Sequence, residues 1–95
     1  MWQFESAPGH SLIILMFFVY VLSSVSRNYI YVGLSSDTER RISDHNEGHN
    51  KTTKPYRPFK TILIEEYPTR PLAREREKYL KSGIGKEYLK SLNKN

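Results

Sequence analysis

The chain has 95 residues and a mass of 11.2 kDa, which is enough for one small domain and too little for two. The absence of cysteine excludes a disulfide scaffold, a zinc ribbon and a thiol nucleophile, and it favours a reducing, cytoplasmic location. A net charge of +5 and an isoelectric point of about 9.6 favour a polyanionic partner such as nucleic acid.

The first pattern along the chain is an apolar and aromatic run from Leu12 to Leu22. A membrane-spanning helix needs about 20 such residues, and residues 1–15 lack the Lys or Arg of a signal peptide. A complete strand pattern begins at Met16. We therefore interpret residues 1–15 as an N-terminal extension upstream of the original start, and residues 16–95 as the single working domain. Two alternatives are that the residues before Met16 lengthen the strand, and that the run anchors a membrane-associated protein.

The remaining pattern predicts three strands and three helices in the order β-β-α-β-α-α. In chain order they are strands at 17–22 and 29–33, a helix from about 37 to 45, a strand at 60–67, and helices at 69–81 and 86–92. Ser36 and Glu39 have the spacing of a capping box, and Gly83 is expected to end the second helix. The order predicts an α+β domain, in which a small three-stranded antiparallel sheet is flanked by helices.

Several chemistry-bearing side chains fall on these elements. Tyr20 is central in the first strand, and Tyr29 and Tyr31 share one face of the second because they are two residues apart. Arg41 and His45 share a face of the first helix because they are four residues apart. Tyrosines in strands commonly serve packing alone, so a purely structural role for them stays open at this point.

Glu77 is the carboxylate that stands out in the second predicted helix. It falls between Ala73 and Leu80, on the stripe that should face the sheet. A carboxylate in such a place is costly unless it pairs with a cation or a metal ion. A salt bridge to Arg76 or Lys81 and metal binding are therefore both open.

The ordered set of motifs resembles the GIY-YIG nuclease domain family. The segments VYV (19–21) and YVG (31–33) are similar to the GIY and YIG motifs, with Val19 and Val32 as departures. Arg41 stands eight residues beyond the glycine, at the position of the arginine of the family. His45 matches the histidine that is often found one turn later.

The second half of the chain extends this resemblance. The stretch TRPLAREREKYLKSGIGKEYLK is similar to the helix that bears the metal-binding glutamate of the family, and it aligns best at Glu77. The segment KTTKPYRPFK (51–60) is similar to the basic loop of small stand-alone members related to the N-terminal domain of the excision-repair nuclease. The resemblance covers residues 16–92, and it implies the GIY-YIG fold.

The resemblance also implies an activity, namely metal-dependent hydrolysis of DNA phosphodiester bonds with one Mg²⁺ or Mn²⁺ ion. Glu77 would hold the metal, and Arg41 would stabilise charge on the phosphate. Tyr20 or Tyr31 would position or deprotonate the attacking water, and Tyr31 is the preferred base. His45 would orient the tyrosine or share in proton transfer.

The expected substrate is DNA held by its backbone, although RNA stays open. The residues expected to contact DNA are Gly33, where the backbone could approach the scissile strand, and Lys51, Lys54, Arg57 and Lys60. Phosphate contacts position DNA without reading its sequence, which implies a structure-selective or weakly sequence-specific endonuclease. Leu34 departs from members that carry a lysine or polar residue after the glycine.

Two further expectations concern partners and rival functions. We expect a targeting protein partner, because the family's homing and repair enzymes borrow specificity from attached modules. Tyr56 and Phe59 are expected to pack under the basic loop, with stacking on an unpaired base as the alternative. The rival function is a non-catalytic nucleic-acid-binding module that retains the nuclease fold.

Overall fold

The computed structural model describes residues 16–93, so the predicted N-terminal extension at 1–15 lies outside the described residues. The predicted order β-β-α-β-α-α is confirmed. The elements are β1 (Phe17–Ser24), β2 (Ile30–Ser35), α1 (Thr38–Glu47), β3 (Phe59–Tyr67), α2 (Arg70–Lys81) and α3 (Gly83–Leu92), with a short 3-10 turn at Lys54–Tyr56.

The three strands form one antiparallel sheet in the order β2-β1-β3. Strand β1 is central, and its residues from Val19 to Leu22 are at most 1% exposed. Aromatic and β-branched side chains pack well in such a doubly covered strand, as the sequence predicted. Tyr20 is paired with Gly33 on β2 and with Ile64 on β3.

Alternation along the strands gives the sheet two different faces. We call the first the valine face, which is covered by α2 and α3 and whose buried cluster comprises Val19, Val21, Val32, Ala73, Leu80 and Leu89. We call the second the tyrosine face, which is covered by α1 and the loop before β3 and whose cluster comprises Tyr20, Leu22 and Phe59, with Tyr29, Tyr31, Ile42 and Tyr56 against it. The side chains of Tyr31 and Val32 thus point to opposite sides of the sheet.

The first two helices are capped mostly as expected. Thr69 caps α2 as predicted, because its side chain accepts a hydrogen bond from the Leu72 N–H. The prediction of a capping box at Ser36 is wrong. Asp37 caps α1, because its carboxylate accepts a hydrogen bond from the Arg40 N–H at 3.2 Å. Helix α1 ends at Gly48, whose φ of 81° lies in the left-handed region that glycine adopts without a Cβ clash.

The last helix begins earlier than the sequence predicted. Helix α3 starts at Gly83 and not at Lys86, because the side chain of Ser82 accepts from the Gly85 N–H and caps the new helix at once. Gly83 therefore opens α3 directly after the turn that ends α2. Within residues 16–93, no helix combines the length and the apolar character needed to cross a membrane.

Candidate functional site

The tyrosine face brings together two tyrosines and a histidine from three elements. The Oη atom of Tyr20 lies 3.2 Å from Nε2 of His45, and both residues are almost fully buried. The ring of Tyr31 lies 4.5 Å from the ring of His45 and 6.1 Å from that of Tyr20, measured between centroids. Unlike Tyr20, Tyr31 is only half-buried. Of the two tyrosines, Tyr31 is therefore the one through which solvent reaches this group.

Burial controls the protonation of Tyr20. Loss of water around the phenol, together with the nearby Tyr31, raises the pKa of Tyr20 to about 12, and the Arg41 guanidinium opposes this rise. Tyr20 is thus a neutral hydrogen-bonding group at physiological pH. It is poorly suited to remove a proton from water, which leaves Tyr31 as the tyrosine with access to solvent.

Arg41 lies at the border between this buried group and solvent. Its pKa is raised, first by the neighbouring Tyr20 phenol, and its side chain is 43% exposed. The guanidinium also lies 3.9 Å from the Asp44 carboxylate. One part of Arg41 is therefore held by the protein, while the exposed part can reach a bound anion.

His45 links Tyr20 to a residue that the sequence did not single out. Its Nδ1 atom lies 2.8 Å from Oγ1 of Thr53, which is fully buried in the loop before β3. Burial, followed by the charge of Arg41, lowers the pKa of His45, so the ring is neutral. Thr53 carries no sequence signal of its own, because it is one of two adjacent threonines in a polar loop.

The donors and acceptors of this network assign its proton positions. The Thr53 hydroxyl donates to the Asn50 carbonyl at 3.5 Å, so its oxygen can accept a hydrogen bond. The neutral ring of His45 therefore carries its hydrogen on Nδ1 and donates it to Oγ1 of Thr53. Nε2 of the ring then has no hydrogen and accepts the hydroxyl hydrogen of Tyr20. The chain of contacts fixes both the tautomer of His45 and the orientation of Tyr20.

Gly33 is required by the packing of the tyrosines. A Cβ atom at this position would lie 2.5 Å from Cζ and Oη of Tyr20 and 2.8 Å from Cε2 of Tyr31. The Tyr20 ring cannot move aside easily, because it is buried on all sides. The structure thus supplies a reason for the glycine within the protein itself, and close approach of DNA at Gly33 stays a prediction.

The basic loop lies beside the tyrosine face and is tied to α1. Besides the contact of Thr53 with His45, the Phe59 N–H donates to the Asn46 side chain at 2.7 Å. Phe59 is buried and Tyr56 stacks on Tyr29 with the ring centroids 3.9 Å apart, so both aromatic residues pack as expected. The predicted DNA-contacting cations are exposed on or next to this loop: Lys51, Lys54, Arg57 and Lys60.

Glu77 is not joined to the tyrosine group by any hydrogen bond or ion pair of residues 16–93. It lies on α2 between two residues of the valine-face cluster, and its side chain is only 13% exposed. Its partners are Lys81 at 3.1 Å and Arg74 at 3.7 Å. Of the two salt bridges that the sequence left open, the one to Lys81 is present, whereas Arg76 binds Glu65 through two hydrogen bonds.

A cleft of about 520 Å³ runs along the outer edge of β2. Of the residues discussed above, its lining includes Tyr31 and Lys81, the partner of Glu77. Glu77 itself does not line the cleft, so the tyrosine group and the carboxylate are related to it only through these two neighbours.

The side chains available to a divalent cation are few. The described part of the chain, residues 16–93, holds no group of three or more His, Asp or Glu side chains placed to bind a metal ion. Mg²⁺ does not need such a cage, because it is ordinarily held by one or two carboxylates together with phosphate oxygens and water. A single carboxylate such as that of Glu77 is compatible with this water-rich mode of binding.

Comparisons with known proteins agree with this fold. Residues 16–91 match the family model of the GIY-YIG catalytic domain. A UPF0213 protein of Haloquadratum walsbyi is 35% identical over 66 residues, which is 68% of this chain and 73% of that protein. A UPF0213 protein of Listeria welshimeri is 41% identical over 61 residues, or 63% and 67% of the two chains.

A solved structure gives the same result at the level of the backbone. The solution structure of a UPF0213 protein from Bacillus halodurans is similar with a TM-score of 0.50 and 31% identity. The match covers 81% of this chain and 84% of that one. The names of these relatives specify no reaction. The match to the catalytic-domain model spans most of the chain, and this chain therefore belongs to the GIY-YIG catalytic domain family.

Proposed function

We propose that the chain is a metal-dependent endonuclease that hydrolyses DNA phosphodiester bonds, with selectivity for DNA structure or only weak selectivity for sequence. The observation that supports this most is the buried network of Tyr20, His45 and Thr53, which ends at the exposed side of Arg41 and beside Tyr31. Burying several polar groups costs stability unless every group is paired. Buried polar networks of this kind are typical of sites where catalytic side chains must be held in a fixed orientation.

In this proposal Arg41 binds a non-bridging oxygen of the scissile phosphate and stabilises the charge that grows there. Its ion pair with Asp44 restricts its rotamers before substrate arrives. Tyr31 orients the attacking water, and its oxygen accepts the proton of that water after the phenol has lost its own proton and become a phenolate. Tyr20 and His45 act on both residues by holding them in place, and neither needs to touch DNA.

Glu77 completes the proposed site as the carboxylate that holds Mg²⁺ or Mn²⁺. Such an ion, when bound, supplies Lewis-acid stabilisation of the phosphate oxygens and the leaving group. The side chain is held in place by its limited exposure and by its ion pairs with Lys81 and Arg74. Lys81 is 55% exposed, so it can turn toward solvent when Glu77 takes a new partner.

The wider expectations follow as parts of the same proposal. The exposed cations of the basic loop would hold the DNA backbone without reading bases. A targeting protein partner would then supply specificity. A cytoplasmic location and a role of the excision-repair type fit this activity.

The proposal is tested by nicking of supercoiled plasmid and cleavage of flap and branched duplexes, with and without Mg²⁺ or Mn²⁺. We expect wild type to cleave only with metal, and Glu77→Gln to lose about 100-fold or more in rate, as removal of a group that stabilises transition-state charge typically does. The matched control is Glu75→Gln, an exposed carboxylate on the same helix. The control should cleave like wild type.

Two outcomes would contradict the proposal. Binding of every DNA without cleavage in either metal would favour the non-catalytic module. Cleavage by folded Glu77→Gln at the wild-type rate would remove Glu77 from the site. Circular dichroism of each variant separates these results from a failure to fold.

A further inference from the structure

The cleft along β2 has a lining that the proposed chemistry does not use. Its accessible apolar floor is formed by Ile30 and Val32 of β2, of which Ile30 is the more exposed. Leu80 of α2 and Leu89 of α3 also border the cleft but are at most 1% exposed. Its volume of about 520 Å³ lies within the range of small-ligand sites, which is roughly 300–1,000 Å³. An apolar floor of this kind suits a flat ring system better than a hydrated ion.

The rim of the cleft is cationic. Lys81 comes from the end of α2, and Lys86 and Lys90 come from α3. Lys81 binds Glu77, and Lys90 lies 3.8 Å from the exposed Glu87 carboxylate. Lys86 has no ion-pair partner within residues 16–93. An anionic group on the occupant would complement this rim.

The wall formed by β2 offers backbone hydrogen-bonding groups. β2 is an edge strand, and the Ser24 N–H donates to the Tyr29 carbonyl at 2.9 Å across its inner side. In an antiparallel pair the direction of these groups alternates from one residue to the next. The N–H and C=O groups of Ile30 and Val32 therefore point away from β1, toward the cleft. They can bond the polar edge of a ring in the cleft.

From these three features we propose that the cleft binds one unpaired nucleotide of a branched or flapped DNA. The base lies on the apolar floor with its edge toward β2, and the phosphates beside it contact Lys86 and Lys90. Because Tyr31 borders both the cleft and the tyrosine group, the nucleotide lies next to the scissile phosphate. The cleft would thus favour DNA that carries an unpaired nucleotide over fully paired DNA. This inference rests on the proposed nuclease function, because such a preference selects a substrate only if the protein cleaves DNA.

The test measures binding and not cleavage. Fluorescence anisotropy in EDTA compares a fully paired duplex, the same duplex with a short flap, and a flap whose unpaired nucleotides are abasic. We expect wild type to bind the normal flap about tenfold more tightly than the abasic flap, since contact with one base changes affinity roughly 5- to 150-fold in single-strand sites. Equal binding of these two flaps would overturn the proposal.

The variants locate the effect in the cleft. Lys86→Ala/Lys90→Ala should weaken flap binding about tenfold, as loss of phosphate contacts does at low salt, and should leave duplex binding unchanged. The control Lys78→Ala changes an exposed lysine of α2 that does not line the cleft. It should bind all three DNAs like wild type. A parallel loss of flap and duplex binding in the double variant would contradict a nucleotide site.

The two proposals fail separately. A flap preference that depends on the lysines, without cleavage in any metal, would support the cleft and reject the nuclease. Metal-dependent cleavage with no base-dependent preference would support the nuclease and reject the cleft. Tight binding of an extended peptide along β2 in place of the flap would also reject the nucleotide site in the cleft.

Discussion

The two faces of the sheet differ in what they bury. On the valine face, every member of the buried cluster is aliphatic, and its contacts with α2 and α3 need no hydrogen bonds. The tyrosine face buries a phenol, an imidazole and a hydroxyl, at Tyr20, His45 and Thr53. Each of these polar groups costs free energy to remove from water and recovers it only through a matched partner.

The buried polar network is therefore confined to one side of the sheet, whereas an aliphatic cluster fills the other side. Glu77, the proposed metal carboxylate, lies on α2 between two residues of that cluster. Apolar packing on the valine face tolerates changes of shape at a modest cost. The polar network on the tyrosine face depends on the placement of single hydrogen atoms. Substitutions in the polar network should therefore act chiefly on the cleavage rate, and substitutions in the aliphatic cluster chiefly on the free energy of unfolding.

The largest effect is expected at Arg41. Arg41→Ala removes the cation that lies beside Tyr20 and is partly exposed, and the cleavage rate should fall by about 100- to 1,000-fold. Because the side chain is 43% exposed, stability should change little. Single-turnover cleavage and thermal unfolding measure the two quantities.

A neighbour on α1 supplies the control for this prediction. Arg40 is exposed and carries the same charge, so Arg40→Ala changes the net charge equally and leaves the cation beside Tyr20 in place. It should cleave within a few-fold of wild type, as a change in a screened surface charge does. Equal losses in Arg40→Ala and Arg41→Ala would mean that general attraction of DNA, and not the tyrosine face, explains the effect.

The next effect is expected at Gly33. Gly33→Ala places a methyl group against the buried Tyr20 ring, and overpacking of this kind costs about 1–3 kcal/mol. Displacement of Tyr20 should also reduce the cleavage rate of the protein that remains folded. Urea unfolding tests the first part, and wild-type stability in Gly33→Ala would refute the packing role of the glycine.

The protonation of Tyr20 should limit stability at high pH. Its pKa in the folded protein is about 12, above the value of 10.0 expected when the chain unfolds. The unfolded chain therefore loses the proton first, so stability is full below pH 10 and falls as the pH rises toward 12, by about 3 kcal/mol in total. Tyr20→Phe should remove this part of the alkaline loss in pH-dependent urea unfolding. An unchanged alkaline slope would contradict the assignment.

The smallest effect is expected at Thr53. Thr53→Val keeps the shape of the side chain but leaves Nδ1–H of His45 without an acceptor, which costs about 1 kcal/mol. Thr52→Val is the matched control, because Thr52 is exposed. Nitrogen NMR of His45 should detect a change of tautomer in Thr53→Val alone. An unchanged tautomer would show that Thr53 does not position the ring.

Much of the fold could be predicted from local patterns. The aromatic and β-branched run of β1, the Thr69 cap of α2 and the glycine after α1 each act through neighbours in the chain. The start of α3 was missed because Gly83, which commonly ends a helix, here follows a serine that caps the next one. The hydrogen bond from the Gly85 N–H to the Ser82 side chain decides that a helix begins at this turn, and the sequence pattern does not reveal it.

The site was predictable only where its residues lie on regular elements. Tyr20, Tyr31, Arg41 and His45 could be found from their spacing and from the family resemblance. The contact of His45 with Thr53 joins a helix to an irregular loop, and no periodicity encodes it. The ion pairs of Glu77 were equally undetermined, because several cations on α2 lie within reach of it.

The difference between the two faces is tested most directly by Tyr31→Phe and Val21→Ala, since Tyr31 lies on the tyrosine face and Val21 lies in the buried valine-face cluster, away from the cleft. Single-turnover cleavage of a flapped duplex with Mg²⁺ is measured beside the free energy of unfolding. We expect Tyr31→Phe to lose about 100-fold or more in rate at nearly unchanged stability. Val21→Ala should lose about 1–3 kcal/mol of stability while the folded protein cleaves at the wild-type rate. Full activity in Tyr31→Phe would contradict the assignment of the attacking water to Tyr31 on the tyrosine face.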